Sequence, residues 1–236
     1  MPFHLIAFDA DDTLWVNEPL YRAAEEELER LLAPFLGDAI LTKRLYERER
    51  HNLALFGYGA KAFMLSMIET AIELSGGRIT GAEIQRIIDT GKGMLQTPVR
   101  LLPHVEPTLD RLAERHRLML LTKGDLFDQE SKLARSGLSR YFAHVEIVSE
   151  KNPSVYRSLL DKYAVDPDRF LMVGNSLKSD VLPVIEAGGH AVHIPYHTTW
   201  IHEHVDDVTP YRNAFTTLEH IGEVPAYLDR MRRERT

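Results

Sequence analysis

The run Phe3-His4-Leu5-Ile6-Ala7-Phe8 sets the first constraint on the fold. It is apolar, too short for an ordinary helix, and closed at once by Asp9-Ala10-Asp11-Asp12-Thr13. A short apolar run between polar residues reads as a strand buried on both faces, and such strands belong to parallel sheets covered by helices. This one delivers three carboxylates and a hydroxyl to its C-terminal end. Like charges so close together repel and resist ionising unless a cation lies among them, so the cluster points to a hard divalent ion such as Mg²⁺.

After Thr13 the apolar period becomes helical for about 80 residues. Leu20, Ala24, Leu28, Leu31 and Leu32 share one face; Ile40, Leu41 and Leu45 a second; Phe63, Met67, Ala71 and Leu74 a third; Ile84, Ile87 and Ile88 a fourth. Four amphipathic helices are expected, broken at 34–38, 57–59 and 76–77, with Thr80 and Glu83 spaced as a capping box. Gly91, Gly93 and Pro98 are expected to weaken the fourth helix ahead of a return linker at Leu101-Leu102-Pro103.

From His104 helix and strand alternate. Helices are expected at 105–115, 128–136 and 224–233, and another opens at Asn152-Pro153. Strands are expected at 118–121, 145–148, 170–173 and, last of all, 191–194. That alternation predicts a doubly wound, Rossmann-like α/β core with a parallel sheet and right-handed crossovers, and with an α-helical bundle inserted after the first strand. The expected boundaries are 1–16 and 100–236 for the core and 17–99 for the insertion. Pro183 is tolerated only in a helix's first turn, so the helix after Gly174 should begin near Ser179, with Asp180 in the turn that leads into it.

Ligands of such sheets bind outside the C-terminal strand ends, where the strand order reverses. Asp9, Asp11, Thr122, Lys151, Asn175 and Asp180 all follow expected strands at that edge. In that order the motifs Asp9-Ala10-Asp11-Asp12-Thr13, Thr122, Lys151 before Asn152-Pro153, and Gly174-Asn175-Ser176 with Asp180 resemble those of the haloacid dehalogenase superfamily of phosphohydrolases, over residues 1–195. The resemblance implies that the helical insertion is a mobile cap. It implies an Mg²⁺-dependent phosphatase in which Asp9 is the nucleophile, Asp11 the general acid and then base, and Lys151 the cation that offsets Asp9 and phosphate. Mg²⁺ would be held by Asp9, the Asp11 carbonyl and Asn175, with Asp180 acting through water. Thr122 and backbone N–H groups near Asp11, Asp12 and Lys123 would bind phosphoryl oxygens. Asn175 stands where the family usually has Asp, which keeps a hard oxygen but removes its charge. Asp12 stands where many members have a smaller residue.

Other activities of the same fold differ at few positions. A dehalogenase needs no leaving-group proton and lacks the acid at the place of Asp11, whereas a phosphomutase uses the same residues. A phospho-acceptor signalling domain has no helical insertion, and a non-catalytic phosphate-binding protein is suggested by Asn175. Within the insertion, the turn Phe56-Gly57-Tyr58-Gly59-Ala60-Lys61 offers Tyr58 and Lys61 as substrate contacts, with Trp15, Asn17 and Tyr21 next in line. His193, His197, His202 and His204 read as a polar loop after the final strand.

Charge narrows the partners. With 28 Lys and Arg against 35 Asp and Glu, the formal charge of -7 argues against a nucleic-acid or anionic-membrane surface and leaves a small phosphate ester as the expected partner, bound by a monomer or homodimer. No run approaches a membrane span and no signal-type N-terminus is present, so a cytoplasmic location is expected. There is no cysteine, which excludes thiolate chemistry.

Overall fold

A computed structural model describes residues 3–35, 41–198, 203, 205, 211 and 213–234. The chain divides into two compact units: Met1–Glu18, Val99–Lys123 and Glu130–Thr236 form the first, and Pro19–Pro98 with Gly124–Gln129 form the second.

In the first unit β1 (Leu5–Phe8), β2 (Arg117–Lys123), β3 (His144–Val148), β4 (Phe170–Gly174), β5 (His190–His193) and β6 (Thr216–Thr217) form a sheet of order β3-β2-β1-β4-β5-β6. Every pairing is parallel. Side chains alternate across a strand, so consecutive residues of the central strands feed opposite cores. Ile6, Phe8, Leu118, Leu120, Leu171 and Val173 join Val105 and Leu109 on one face; Leu5, Ala7, Met119, Leu121, Phe170 and Met172 join Tyr156 and Leu160 on the other. The continuous apolar run of β1 is thus explained by burial on both sides.

The second unit holds most of α1 (Glu18–Leu32), together with α2 (Leu41–Phe56), α3 (Ala60–Leu74) and α4 (Gly81–Gln96). Their apolar stripes meet in a core of Ala24, Leu28, Leu31, Leu45, Phe63, Met67, Ala71 and Ile87. The capping box forms: Glu83 N–H donates to Thr80 Oγ1 at 3.3 Å and Thr80 N–H donates to Glu83 Oε2 at 2.7 Å. Ile40, expected to begin the second stripe, lies outside the described residues.

The first unit also contains α5 (Val105–Ala113), α7 (Pro153–Tyr163), α8 (Leu182–Glu186), α9 (Val224–Glu234) and the greater part of α6 (Leu126–Ser136). Asn152 caps α7, its side chain accepting from the N–H groups of Ser154 and Val155 at 3.0 Å each. Among the described residues no helix is long and apolar enough to cross a membrane.

Three expectations change. The strand at 191–194 is not the last, because Thr216–Thr217 adds β6 beside β5; two residues carry no period from which a strand can be read. The helix after β4 does not start as an α-helix at Ser179: a π-helical turn, Leu177–Val181, precedes α8, and Pro183 sits in the first turn of α8. Gly91 and Gly93, expected only to weaken the fourth helix, both lie within an unbroken α4. Gly91 is there for space, since a Cβ built on it would lie 2.7 Å from Met64 Sδ and 3.0 Å from Met64 Cβ on α3.

Gly91→Val is therefore expected to destabilise the protein by about 1–3 kcal/mol in urea unfolding, the usual cost of overpacking. Adding Met64→Ala should recover more than half of the loss. Equal losses in the single and double variants would show that Met64 is not what fills the space.

Candidate active site

The order of the sheet reverses at β1, with β2 on one side and β4 on the other, so the crevice beyond the C-terminal end of β1 is where this topology opens. Asp9 stands there, its N–H donating to the Val173 carbonyl at 2.9 Å and its side chain 10% exposed. Lys151, which follows β3, reaches in and donates to Asp9 Oδ1 at 2.5 Å and Asp180 Oδ1 at 2.7 Å. Burial pushes the Asp9 carboxyl up to about 7, reinforced by the charge of Asp180 and opposed by Lys151. Burial would lower Lys151 as well, but the two carboxylates, Asp180 first, outweigh it and raise the ammonium above its usual range. Two anions and one cation leave this buried group with net negative charge when all are ionised.

Three oxygen-bearing groups gather near the second Asp9 oxygen. Thr13 Oγ1 donates to Asp9 Oδ2 at 3.2 Å. The Asn175 amide lies 3.2 Å from Thr13 Oγ1 and 3.3 Å from both the Asp11 carbonyl and Asp9 Oδ2. With its nitrogen turned inward Asn175 donates to all three. With its oxygen turned inward, a carboxylate, a backbone carbonyl and an amide converge, which is a donor set for a hard cation such as Mg²⁺. Among the described residues no three His, Cys, Asp or Glu side chains group as metal ligands, so a cation here must draw on the carbonyl and the amide.

Asp180 is fixed by the π-helical turn. Its Oδ2 accepts from the Ser176 N–H at 3.0 Å, and Tyr156 on α7 donates its hydroxyl to the Ser179 carbonyl at 2.9 Å, pinning the turn one residue before the carboxylate. His193 at the end of β5 contacts the Asn175 carbonyl through Nε2 at 3.1 Å. His202 and His204 lie outside the described residues.

Asp11 and Asp12 diverge. Asp11 Oδ1 accepts from Trp15 Nε1 at 2.7 Å and from Lys132 Nζ of α6 at 3.0 Å. Trp15, grouped by sequence with substrate contacts, is instead 1% exposed and packed in the core. Asp12 has φ of +60°, and its carboxylate accepts from Asn17 N–H at 2.9 Å and Glu18 N–H at 3.0 Å, satisfying the free donors at the start of α1. Burial pushes this carboxyl up to about 7 against those two donors. The Asp12 N–H, expected to be available for phosphate, donates to the Trp15 carbonyl at 2.7 Å because the turn folds back on itself.

Thr122, next to last in β2, is buried, its hydroxyl donating to the Lys123 carbonyl at 3.3 Å. The Lys123 ammonium donates to Ser179 Oγ at 2.9 Å and Glu203 Oε1 at 2.5 Å. Glu203 also accepts from the Ser176 and Ser179 hydroxyls. Burial would push Glu203 up, but Lys123 and the serine donors outweigh it and hold the carboxyl below its usual range. Tyr58 and Lys61 belong to the helical unit, where Lys61 pairs with Asp125 at 2.8 Å and Gly59, at φ +108°, lets the turn approach Asp125. The structure therefore groups Asp9, Asp11, Thr122, Lys151, Asn175 and Asp180 around one strand edge. It adds Thr13, Lys132, Tyr156 and Glu203, for which only the Asp-rich motif containing Thr13 gave a sequence signal.

A doubly wound parallel sheet that gathers carboxylates, a lysine and a threonine beyond its central strand is an α/β core of the kind that hydrolases share. The chain belongs to the haloacid dehalogenase-like hydrolases, whose family model matches residues 3–188. A haloacid dehalogenase-like family hydrolase from Xanthomonas campestris superposes with a TM-score of 0.87 at 40% identity, covering 98% of this chain and 92% of that one. An N-acylneuraminate-9-phosphatase from Mus musculus is 31% identical over 108 residues, 44% of this chain and 41% of the relative. A glyceraldehyde 3-phosphate phosphatase from Pyrococcus abyssi is 31% identical over 104 residues, 42% of this chain and 44% of the relative. These matches span less than half the length of either curated relative.

Gly174 closes β4 directly beneath Asp180: a Cβ there would lie 2.3 Å from Asp180 Oδ2 and 2.6 Å from Asp180 Cβ. Lys151 and the Ser176 N–H hold that carboxylate in place, so it has no room to yield. Gly174→Ala should lower stability in urea by more than the roughly 1 kcal/mol on which point mutants centre. An unchanged midpoint would mean that Asp180 can move aside.

Proposed function

We propose that the chain is an Mg²⁺-dependent phosphatase that hydrolyses a small phosphomonoester through an aspartyl-phosphate on Asp9. The observation that carries this reading is the buried Asp9 carboxylate beyond β1, held by Lys151 at 2.5 Å in a member of a hydrolase family. The phosphatase names of both curated relatives support the choice of phosphate ester as substrate.

In the first half-reaction an Asp9 oxygen attacks phosphorus, the bond from phosphorus to the ester oxygen breaks, and Asp11 delivers its proton to the leaving alkoxide. In the second, water attacks the phosphorus of the aspartyl-phosphate while Asp11 takes its proton; the bond to Asp9 breaks and inorganic phosphate leaves. Lys151 offsets the charge that gathers on Asp9 and the phosphoryl group, and the Thr122 hydroxyl and Lys123 N–H are assigned to phosphoryl oxygens. Asp9 Oδ2, the Asp11 carbonyl and the Asn175 amide oxygen would hold Mg²⁺, with Asp180 acting at one remove because Lys151 and Ser176 already take its oxygens. Bound there, the ion would neutralise phosphoryl charge.

Asp9→Asn is expected to abolish turnover of phosphate esters with the fold intact, since the amide is nearly the same shape but cannot attack phosphorus. Residual activity above a few per cent, with an unchanged circular dichroism spectrum, sinks the assignment of the nucleophile. Asn175→Asp adds an anionic ligand and should lower the Mg²⁺ concentration for half-maximal activity. A titration superimposable on that of the wild type would remove Asn175 from the metal.

A further inference from the structure

We infer that Lys132 is a positioning residue for Asp11, fixing the carboxyl rotamer from which Asp11 exchanges protons with substrate and water. The inference rests on the acid and base role proposed above for Asp11.

Nothing in the sequence marks Lys132, which sits on α6 as one of its many charged and polar residues. In the structure its side chain is only 12% exposed, and Nζ donates to Asp11 Oδ1 at 3.0 Å and to Asn17 Oδ1 at 2.9 Å. Asn17 follows the β1 motif and α6 follows β2, so the lysine is gripped by a second point that does not move with the Asp11 side chain. Trp15 Nε1 donates to the same Oδ1 at 2.7 Å from an indole fixed in the core. Asp11 cannot turn about its side-chain bonds without breaking both bonds.

Stability does not call for this arrangement. The pair is partly withdrawn from water, with side-chain exposures of 12% and 24%, and the cost of that desolvation offsets much of the attraction between its charges. A proton donor, by contrast, must lie within hydrogen-bond reach of the leaving oxygen at the moment of transfer, and small misplacements cost rate steeply. Two donors from separate elements on one oxygen of one carboxylate meet that need.

The test is a double-mutant cycle on the full chain with Mg²⁺, using glycerol phosphate and p-nitrophenyl phosphate as probes. Lys132→Met keeps the stem of the side chain and should lower kcat by about tenfold or more with KM changed by less than about twofold, the pattern of a group that acts only on the chemical step. Lys132→Arg should restore most of the loss. In an Asp11→Asn background Lys132→Met should have no further effect, because a residue that acts through Asp11 has nothing left to position. Equal fold-losses in both backgrounds would overturn the inference by showing that Lys132 acts independently of Asp11. A loss that tracks a lowered unfolding midpoint and is not restored by Arg would overturn it in favour of a structural role. If Asp11→Asn itself leaves turnover of both esters intact, the acid and base role of Asp11 fails and this inference with it. If Asp11→Asn impairs turnover while Lys132→Met does not, only the role of Lys132 falls.

Discussion

Lys151 is the point on which the site depends. Its ammonium is 1% exposed between two carboxylates, and it joins the segment after β3 to the end of β1 and to the π-helical turn after β4. A buried ion pair gains stability only when the mutual attraction and further hydrogen bonds repay the loss of water. Here the repayment is visible: Asp180 also accepts from Ser176 N–H, and Asp9 also accepts from Thr13. Removing the lysine would leave two buried carboxylates facing each other without a cation, so this one ammonium sets the spacing of three loops.

The π-helical turn shows how packing, not local preference, places Asp180. Such turns are rare and occur mostly as single turns at functional sites. Ser176 accepts from the Ser179 N–H at 3.0 Å, Tyr156 holds the Ser179 carbonyl, and Gly174 leaves space for the carboxylate beneath. These partners come from β4, from α7 and from the turn itself. A side chain that must reach back toward β1 gains from the extra residue per turn, which shifts it around the axis relative to an α-helix.

The legible part of the chain follows from periodicity. Apolar runs located every strand of four residues or more, and helical stripes located the inserted bundle, because burial on a sheet or in a bundle imposes a period on the sequence. The positions at the sheet's C-terminal edge were legible for the same reason: each follows a strand. What was not legible depends on contacts between elements distant in sequence. Pro183 announced a turn but not its π-helical form, which requires Tyr156. Gly91 read only as a residue that weakens its helix, although it is the space for Met64. Trp15 read as a candidate substrate contact, although it is a buried donor to Asp11, and Lys132 carried no signal at all across the 121 residues that separate it from its partner. Asp12 read as a backbone donor to phosphate, because only the three-dimensional turn brings its carboxylate to the start of α1.

Charge balance around the edge gives the substitution at position 175 a physical meaning. Asp11 is matched by Lys132 and Glu203 by Lys123, and Asp12 faces two backbone donors. The residual charge therefore sits on Asp9, Lys151 and Asp180, where two carboxylates share one cation. An aspartate at position 175 would add a further anion within 3.3 Å of Asp9 Oδ2, raising both the attraction for a divalent cation and the repulsion for a phosphate dianion. Asparagine keeps a hard oxygen in the cluster and withholds the charge. It leaves two buried carboxylates and one ammonium rather than three carboxylates, so the cluster depends less on an added cation to relieve its own repulsion.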